Sequence, residues 1–349
     1  MNNTISKNND LLDLVKLILA FMVVAIHSGL LDPVLYPWLR LAVPLFFIIS
    51  SYLFFMRVNA CQDGHDKYLV LKSFVLRNLK LYAFWFIALL PITIYIRNWF
   101  YSGFWNGILT IFKSFILAST FIASWFIIAL IIGITIIFFA SKKVNNTSLF
   151  TIGLILYILI SIRSSYMFLF KDIKSLTELF EGVVSYESVM NSPVNSFPAG
   201  IFWIICGKIF ADGKVKVRIK TSSVVLSVSV VLLFAEWFLI KYFSDKYNND
   251  FYIMLAPCVL AIFNILIQLK PINLKYAREM RKISIIIYAS HGSAIPVLRK
   301  ILEATVGNIP SVATSIILFI LTTLVCVGGA ILILHMEKYK YLKWLKYSH

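Results

Sequence analysis

The chain has 349 residues, of which 60% are hydrophobic and 14% are charged, and its mean hydropathy is +0.85. Such a composition excludes a soluble globular protein and predicts an all-α, polytopic helical membrane protein. The net charge of +17 is also typical of nucleic-acid-binding proteins, but in a membrane protein it indicates Lys and Arg in cytoplasmic loops. We therefore expect a lipid bilayer, and no nucleic acid, as the partner.

Apolar runs long enough to cross a bilayer recur along the whole chain, and we predict about ten spans. The predicted runs are 11–31, 37–56, 77–96, 122–140, 147–163, 197–211, 222–243, 251–269, 283–303 and 311–335. The stretch 105–119 is also apolar but is interrupted by Lys113, so it is an interfacial piece, a re-entrant piece or an eleventh span. The four cysteines are widely spaced, which predicts neither a disulfide nor a metal site.

The distribution of Lys and Arg sets the predicted orientation. Positive charges concentrate in the segments 57–76, 141–146, 212–221, 270–282 and a tail from about 336. The alternate connections at 31–36, 164–196 and 244–250 carry no such excess. Because positive loops stay in the cytoplasm, we expect both termini to be cytoplasmic and residues 1–349 to form a single integral-membrane domain.

The first apolar run contains two polar residues, Lys16 and His27. Eleven residues make about three helical turns, so both side chains point along one helix face, about 16 Å apart. Ionisable residues inside a membrane normally face the bundle interior and are candidates for function. The alternative is that Lys16 snorkels to the interface and that His27 packs near the outer end.

Several stretches, in order, resemble the membrane acyltransferase-3 family. Asp13-Leu-Val-Lys16 with His27 resembles its basic-x10-His signature, and the block from Arg40 to Phe55 is similar to its V-P-x-F-F-x-I-S-G-Y motif. Further matches, each weak alone, are Arg77-Asn-Leu-Lys80 with R-x-x-R, Ser124-Trp125-Phe126 with W-F-L-x-x-L, Phe202 to Gly207 with F-x-x-G, and Ser284 to His291 with S-x-x-x-Y-x-x-H.

This resemblance implies an O-acyltransferase of a bacterial inner membrane, most simply an O-acetyltransferase. The donor would be cytoplasmic acyl-CoA, and the acceptor a hydroxyl of a cell-surface polysaccharide or its precursor. His27 would be the central catalytic residue, with Lys16 in the same motif, and Arg77 and Lys80 would bind the anionic donor. Lys16 and Lys80 stand where arginine is commoner, which keeps the charge but loses the bidentate fork. Ser51 replaces a glycine and is small enough for close helix packing.

Three further residues are candidates for the acceptor side or for support. Arg40 either orients acceptor hydroxyls and the oxyanion or snorkels at the interface. His291 either transfers a second proton or is satisfied by a neighbouring helix. Ser50 belongs to the second motif and is a supporting candidate.

For the remaining three candidates the sequence favours structural roles. Glu236 lies within the seventh run, and we expect it to pair with a cation of the bundle. Tyr288 and Trp125 are typical of packing or interfacial aromatic residues, although both lie in family motifs.

The residues leave the mechanism open. His27 acts either as the base that takes the acceptor proton or as a nucleophile that carries the acyl group. Two other functions compete: a membrane transporter of a sugar or amino-acid intermediate, since related membrane domains are fused to racemases, and a scaffold in envelope assembly. The sequence identifies neither the acceptor, nor a protein partner for envelope assembly, nor the oligomeric state.

Overall fold

A computed structural model describes residues 2–30, 35–117, 124–170, 173, 178, 195–213, 215, 217–243, 250–307 and 310–349. All regular secondary structure in these ranges is helical. In a bilayer this is the expected form, because a helix satisfies its own backbone hydrogen bonds where water is absent. Most of the predicted outer loop at 164–196 and of the connection 244–250 lies outside the described residues.

Thirteen α-helices cover the described chain, and a helix lies over each of the ten predicted runs. They are α1 (Asn2–Ser28), α2 (Tyr36–Leu39), α3 (Ala42–Ala60), α4 (Gly64–Arg97), α5 (Phe104–Leu117), α6 (Ser124–Ala140), α7 (Asn146–Ser161), α8 (Met167–Phe170), α9 (Phe197–Ala211), α10 (Ile219–Phe243), α11 (Leu255–Gln268), α12 (Ala277–Val306) and α13 (Ser311–Met336). A π-helical turn (Ile162–Tyr166) joins α7 to α8, and a 3-10 segment (Lys340–Ser348) follows α13.

Six of the helical segments in the described chain are long and apolar enough to cross a membrane. They lie at Asp10–Ser28, Tyr36–Ala60, Gly64–Arg97, Asn146–Phe170, Ile219–Phe243 and Ser311–Met336. Three further apolar helices, at Trp125–Ala140, Phe197–Ala211 and Leu255–Gln268, are shorter. The protein is therefore a multi-pass membrane protein, and the count of ten spans stays a prediction.

One compact unit comprises residues 1–42, 76–124 and 270–349. Within it α1 packs against α12 and α13, and α12 packs against α13. Trp85 and Leu89 of α4 join Ile286, Ala289 and Ala330 in a buried apolar cluster. This unit holds both histidines of the family motifs.

Helix α5 belongs to the same unit. The hydroxyl of Tyr82 donates to the carbonyls of Ser114 (3.2 Å) and Phe115 (2.8 Å) in its last turn, where carbonyls lack partners within the helix. The described part of α5 is about 21 Å long, and the residues directly after Leu117 lie outside the described ranges. The three alternatives for this stretch, an interfacial piece, a re-entrant piece and an eleventh span, therefore stay predictions.

The second unit comprises residues 43–75 and 125–269. Within it α7 packs against α9, and α10 packs against α11. The side chain of Ser51, on α3, is fully buried opposite Gly207 of α9, where any Cβ would collide with the Ser51 hydroxyl and approach the Ile48 carbonyl to 2.6 Å. This is the close packing that a small residue at position 51 predicts.

Candidate active site

Two histidines from different helices meet inside the first unit. His27 lies in the last turn of α1, and His291 lies near the middle of α12, the helix that packs along α1. Their ring centroids are 5.2 Å apart, with the ring planes inclined by 31°. The sequence places both residues in motifs but could not predict that they touch, because they lie 264 positions apart.

The hydrogen bonds of His291 define its tautomer. Its Nδ1 lies 2.8 Å from the carbonyl oxygen of Tyr288 and 3.2 Å from that of Ile287. A carbonyl can only accept, so Nδ1 carries the proton and Nε2 of the neutral ring holds a lone pair. Nε2 is buried and has no hydrogen-bond partner within the described ranges. His291 thus presents an unused proton acceptor beside His27.

Two more predicted residues lie at this histidine pair. The ring of Tyr288 is 5.9 Å from that of His291 and forms part of the buried wall. Arg40, directly after α2, bonds the Tyr36 hydroxyl with its guanidinium, which also lies 4.5 Å from the centre of the Tyr36 ring. Its positive charge lies within electrostatic range of His27. The first unit therefore brings together His27, His291, Tyr288 and Arg40.

Lys16 lies in a separate charged cluster on α1, three turns before His27. Its ammonium is 3.9 Å from the carboxylate of Asp13, whose side chain is only 5% exposed. Arg281 of α12 approaches the same carboxylate to 3.6 Å. Asp13 thus holds two cations at the end of the unit opposite to His27. Asp13 lies one helical turn before Lys16, and this spacing in the sequence could have predicted their ion pair. No spacing in the sequence predicts the contact with Arg281, which lies on a helix distant in the sequence.

Arg77 and Lys80 are exposed on one face of α4. The 3-10 segment of the tail lies against the next turns of this helix: the Lys80 ammonium is 5.5 Å from the centre of the Tyr347 ring, and Trp85 Nε1 donates to the Ser348 carbonyl at 2.9 Å. The tail is anchored further by Glu337, which pairs with Lys282 at 2.8 Å and with His349 at 3.2 Å. Burial and the charge of Lys282 hold the pKa of His349 below its usual value.

The other three predicted residues lie in the second unit. Trp125 packs against Phe47, with ring centroids 6.1 Å apart, and Ser50 is half-buried on α3. Glu236 of α10 accepts from the backbone amides of Ile253 (2.6 Å) and Met254 (2.9 Å) at the start of α11. Among the described residues, the partner of the Glu236 carboxylate is thus a helix N-terminus, which favours an anion, and not the predicted cation.

A polar cluster that the sequence analysis did not single out joins three helices of the second unit. The buried Lys208 ammonium donates to Asn146 (2.8 Å) and to Asp212 (2.7 Å), and Asp212 also accepts from Asn59 (3.1 Å) and Asn146 (2.7 Å). Burial would raise the pKa of Asp212, but the hydrogen bonds from Lys208, Asn146 and Asn59 prevail and hold it below its usual value. Because its partners are satisfied, we interpret this cluster as a structural clamp.

The fold and the paired histidines define a helical membrane protein with a pair of adjacent imidazoles between two of its helices. The sequence matches the profile of the acyltransferase-3 family, described as an acyltransferase domain, over residues 9–334, and the chain belongs to this family. The resemblance stated from the motifs is thereby confirmed, and the family assignment supports a membrane acyltransferase.

Two curated relatives are named amino-acid racemases, both from Enterococcus faecalis. One is 25% identical over 267 residues, covering 74% of this chain and 36% of the relative. The other is 24% identical over 340 residues, covering 94% of this chain and 46% of the relative. The chain spans less than half the length of both relatives. No solved structure matches the chain significantly.

Proposed function

We propose that this protein is an O-acyltransferase that moves an acyl group, in the first instance acetyl, from cytoplasmic acyl-CoA to a hydroxyl of a cell-surface polysaccharide or its precursor. The observation that carries the proposal is the contact between His27 and His291, with the lone pair of His291 Nε2 unused. Acyl transfer to a hydroxyl requires a base at the acceptor and a stabilised oxyanion, and these residues can supply the base.

In the proposed reaction the acceptor oxygen attacks the thioester carbonyl while one imidazole takes the hydroxyl proton. The C–S bond then breaks, and the proton passes to the departing thiolate to give free CoA. Arg40 would stabilise the negative oxygen of the tetrahedral intermediate. In the alternative, His27 attacks the thioester carbonyl first and its ring proton passes to His291 Nε2. The C–S bond breaks, and this proton moves on to the departing thiolate, which gives free CoA and an acyl-imidazole on His27. The acceptor hydroxyl then attacks the acyl group, the bond from the acyl carbon to the imidazole nitrogen breaks, and the hydroxyl proton returns to the imidazole.

The donor would enter at the charged end of the first unit. CoA carries several phosphates, and a cluster of cations raises its local concentration. Lys16 and Arg281, held by Asp13, are suited to this role, as are the exposed Arg77 and Lys80. The alternative for the last two is ordinary anchoring at the cytoplasmic interface.

The proposed placement follows the positive-inside rule. We propose ten spans in a bacterial inner membrane, with both termini in the cytoplasm and α5 as a re-entrant helix that leaves the alternation of loops intact. In this orientation the Asp13 cluster faces the donor, and His27 lies toward the outer half, where a glycan acceptor or an envelope-assembly partner would arrive.

The test is acyl transfer from radiolabelled acetyl-CoA in membranes that contain equal amounts of wild type, His27→Ala or His65→Ala. His65 is an exposed histidine at the start of α4 and serves as the matched control. We expect label in envelope glycan with wild type and His65→Ala and not with His27→Ala. Equal labelling in all three would contradict a role for His27.

A transporter is the second candidate function, and the relatives named amino-acid racemases favour it. The match covers less than half of each relative. In this candidate function the matched membrane part moves an amino acid across the bilayer, and the rest of the relative is a separate part. Uptake of radiolabelled amino acids into proteoliposomes without any acyl donor would support this candidate. Uptake that is absent, together with donor-dependent labelling, would favour the acyltransferase.

A further inference from the structure

An open, shallow cavity of about 480 Å³ lies at the turn between α4 and α5, at the far end of α4 from Arg77 and Lys80. Its lining combines a cation, two aromatic rings and three small polar side chains: Arg97, Asn98, Trp99, Tyr101, Ser102 and Thr110. In the proposed orientation this turn is on the outer side of the membrane. The histidine pair uses none of these residues.

The turn that carries the cavity is fixed by its own hydrogen bonds. The backbone amide of Tyr101 donates to the carbonyl of Asn98 (3.0 Å). Asn98 has a φ of 51°, a left-handed conformation that asparagine tolerates well. The side-chain amide of Asn106 donates to the Ser102 carbonyl (2.9 Å). These hydrogen bonds hold the turn in one defined conformation.

Phe100 further sets the direction of its neighbours. Its ring lies so close to Gly107 of α5 that a Cβ at Gly107 would overlap it, and it stacks on Phe104 with centroids 6.0 Å apart. Phe100 packs against α5, and its two neighbours in sequence, Trp99 and Tyr101, line the cavity. Tyr101 is 87% exposed, so its ring is available to a ligand.

The chemistry of this lining matches a sugar with an acidic group. Sugars present an apolar C–H face that stacks on aromatic rings and hydroxyls that bond to amide, hydroxyl and guanidinium groups. The planar guanidinium of Arg97 suits a carboxylate or phosphate in bidentate geometry. A volume of about 480 Å³ lies within the range of small-ligand pockets.

We propose that this cavity is a binding subsite for an acidic glycosyl unit, a sugar phosphate or uronic acid, of the acceptor. The inference rests on the proposed function for its assignment to the acceptor. Trp105 is 79% exposed and does not line the cavity, so it represents an ordinary interfacial aromatic residue and provides the matched control.

The test is saturation-transfer-difference NMR on the purified full chain in detergent, with glucose 1-phosphate, N-acetylglucosamine 1-phosphate and glucuronic acid as probes. We expect saturable binding of at least one probe by wild type and Trp105→Ala, with affinity at least tenfold lower in Trp99→Ala and Arg97→Gln. Circular dichroism of each variant verifies that it is folded.

Three outcomes would overturn the subsite. The first is that none of the three probes binds, and the second is that all variants bind equally. The third is that glycerol 3-phosphate or inorganic phosphate competes as well as the sugar phosphates, which would show a lipid-headgroup or phosphate site. The binding measurement needs no acyl donor. A protein that binds the probes but transfers no acyl group would therefore overturn only the proposed function.

Discussion

The imidazole rings of His27 and His291 lie with their centroids 5.2 Å apart, and the Nδ1 of His291 is held by the Tyr288 carbonyl at 2.8 Å. One histidine is thus fixed by the backbone of its own helix, while the other projects from the end of α1. In the proposed reaction the two residues would have different roles: His291 would accept a proton, and His27 would contact the reacting groups.

His291→Asn separates these roles. The asparagine amide can still donate to the Tyr288 carbonyl, as Nδ1 does, but it offers no basic nitrogen at the position of Nε2. We expect acyl transfer to fall by about 10²-fold or more, the usual contribution of a positioned base, with little change in thermal stability. Transfer kinetics and a melting curve in detergent measure the two effects. Full activity of His291→Asn would remove Nε2 from the chemistry.

Asp13→Asn tests the assignment of the donor end. The amide cannot neutralise Lys16 and Arg281, so both cations lose the partner that holds them. We expect the KM for acyl-CoA to rise by about tenfold while the KM for the acceptor stays constant. A tenfold rise corresponds to a loss of about 1.4 kcal/mol in the binding of the donor alone. Lys282→Gln, whose partner is Glu337, serves as a control in the same helix. A fall in melting temperature with both KM values unchanged would show that the Asp13 cluster is only structural.

Gly207→Ala tests the contact between α3 and α9. The new methyl group would overlap the Ser51 hydroxyl and the Ile48 carbonyl, and we expect a loss of about 1–3 kcal/mol of stability. The control is Gly328→Ala in α13, where a Cβ meets nothing within 4 Å. Adding Ser51→Gly to Gly207→Ala should restore part of the loss, since it removes one of the two overlaps. Equal melting temperatures for both single variants would contradict the close contact.

The clamp around Asp212 predicts a dependence of stability on pH. Its folded-state pKa is lowered, so its contribution is present above the unfolded pKa of about 3.8 and is lost as the pH falls through the lower folded value. We expect the melting temperature of wild type to drop below about pH 4 by more than that of Asp212→Asn. At neutral pH, Asp212→Ala leaves Lys208 buried without its carboxylate and should cost about 2–4 kcal/mol. Parallel pH curves for wild type and Asp212→Asn would contradict the clamp.

Local patterns predicted the elements of this fold better than their contacts. Continuous apolar runs were sufficient to predict a helix over each run, and the small residue at position 51 predicted close packing, which the structure places opposite Gly207. The apolar stretch at 105–119 is ambiguous in the sequence, and no local pattern reveals that the Tyr82 hydroxyl of another helix donates to its carbonyls.

The candidate site was predictable in its residues and unpredictable in its pairings. His27 and His291 stand out because ionisable groups are rare in apolar runs. Their contact, like that of Asp13 with Arg281, joins α1 to α12 and depends on tertiary packing. Glu236 was expected to need a cation, but the start of α11 offers backbone amides instead, a partner that carries no charged residue to detect.

The central claim is that His27 is required to break the acyl thioester. It is tested most directly by following free CoA thiol released from acetyl-CoA by the purified protein in proteoliposomes that contain an envelope-glycan extract. We predict acceptor-stimulated thiol release by wild type and by His65→Ala and none above background by His27→Ala. Release by His27→Ala at the wild-type rate would contradict the account.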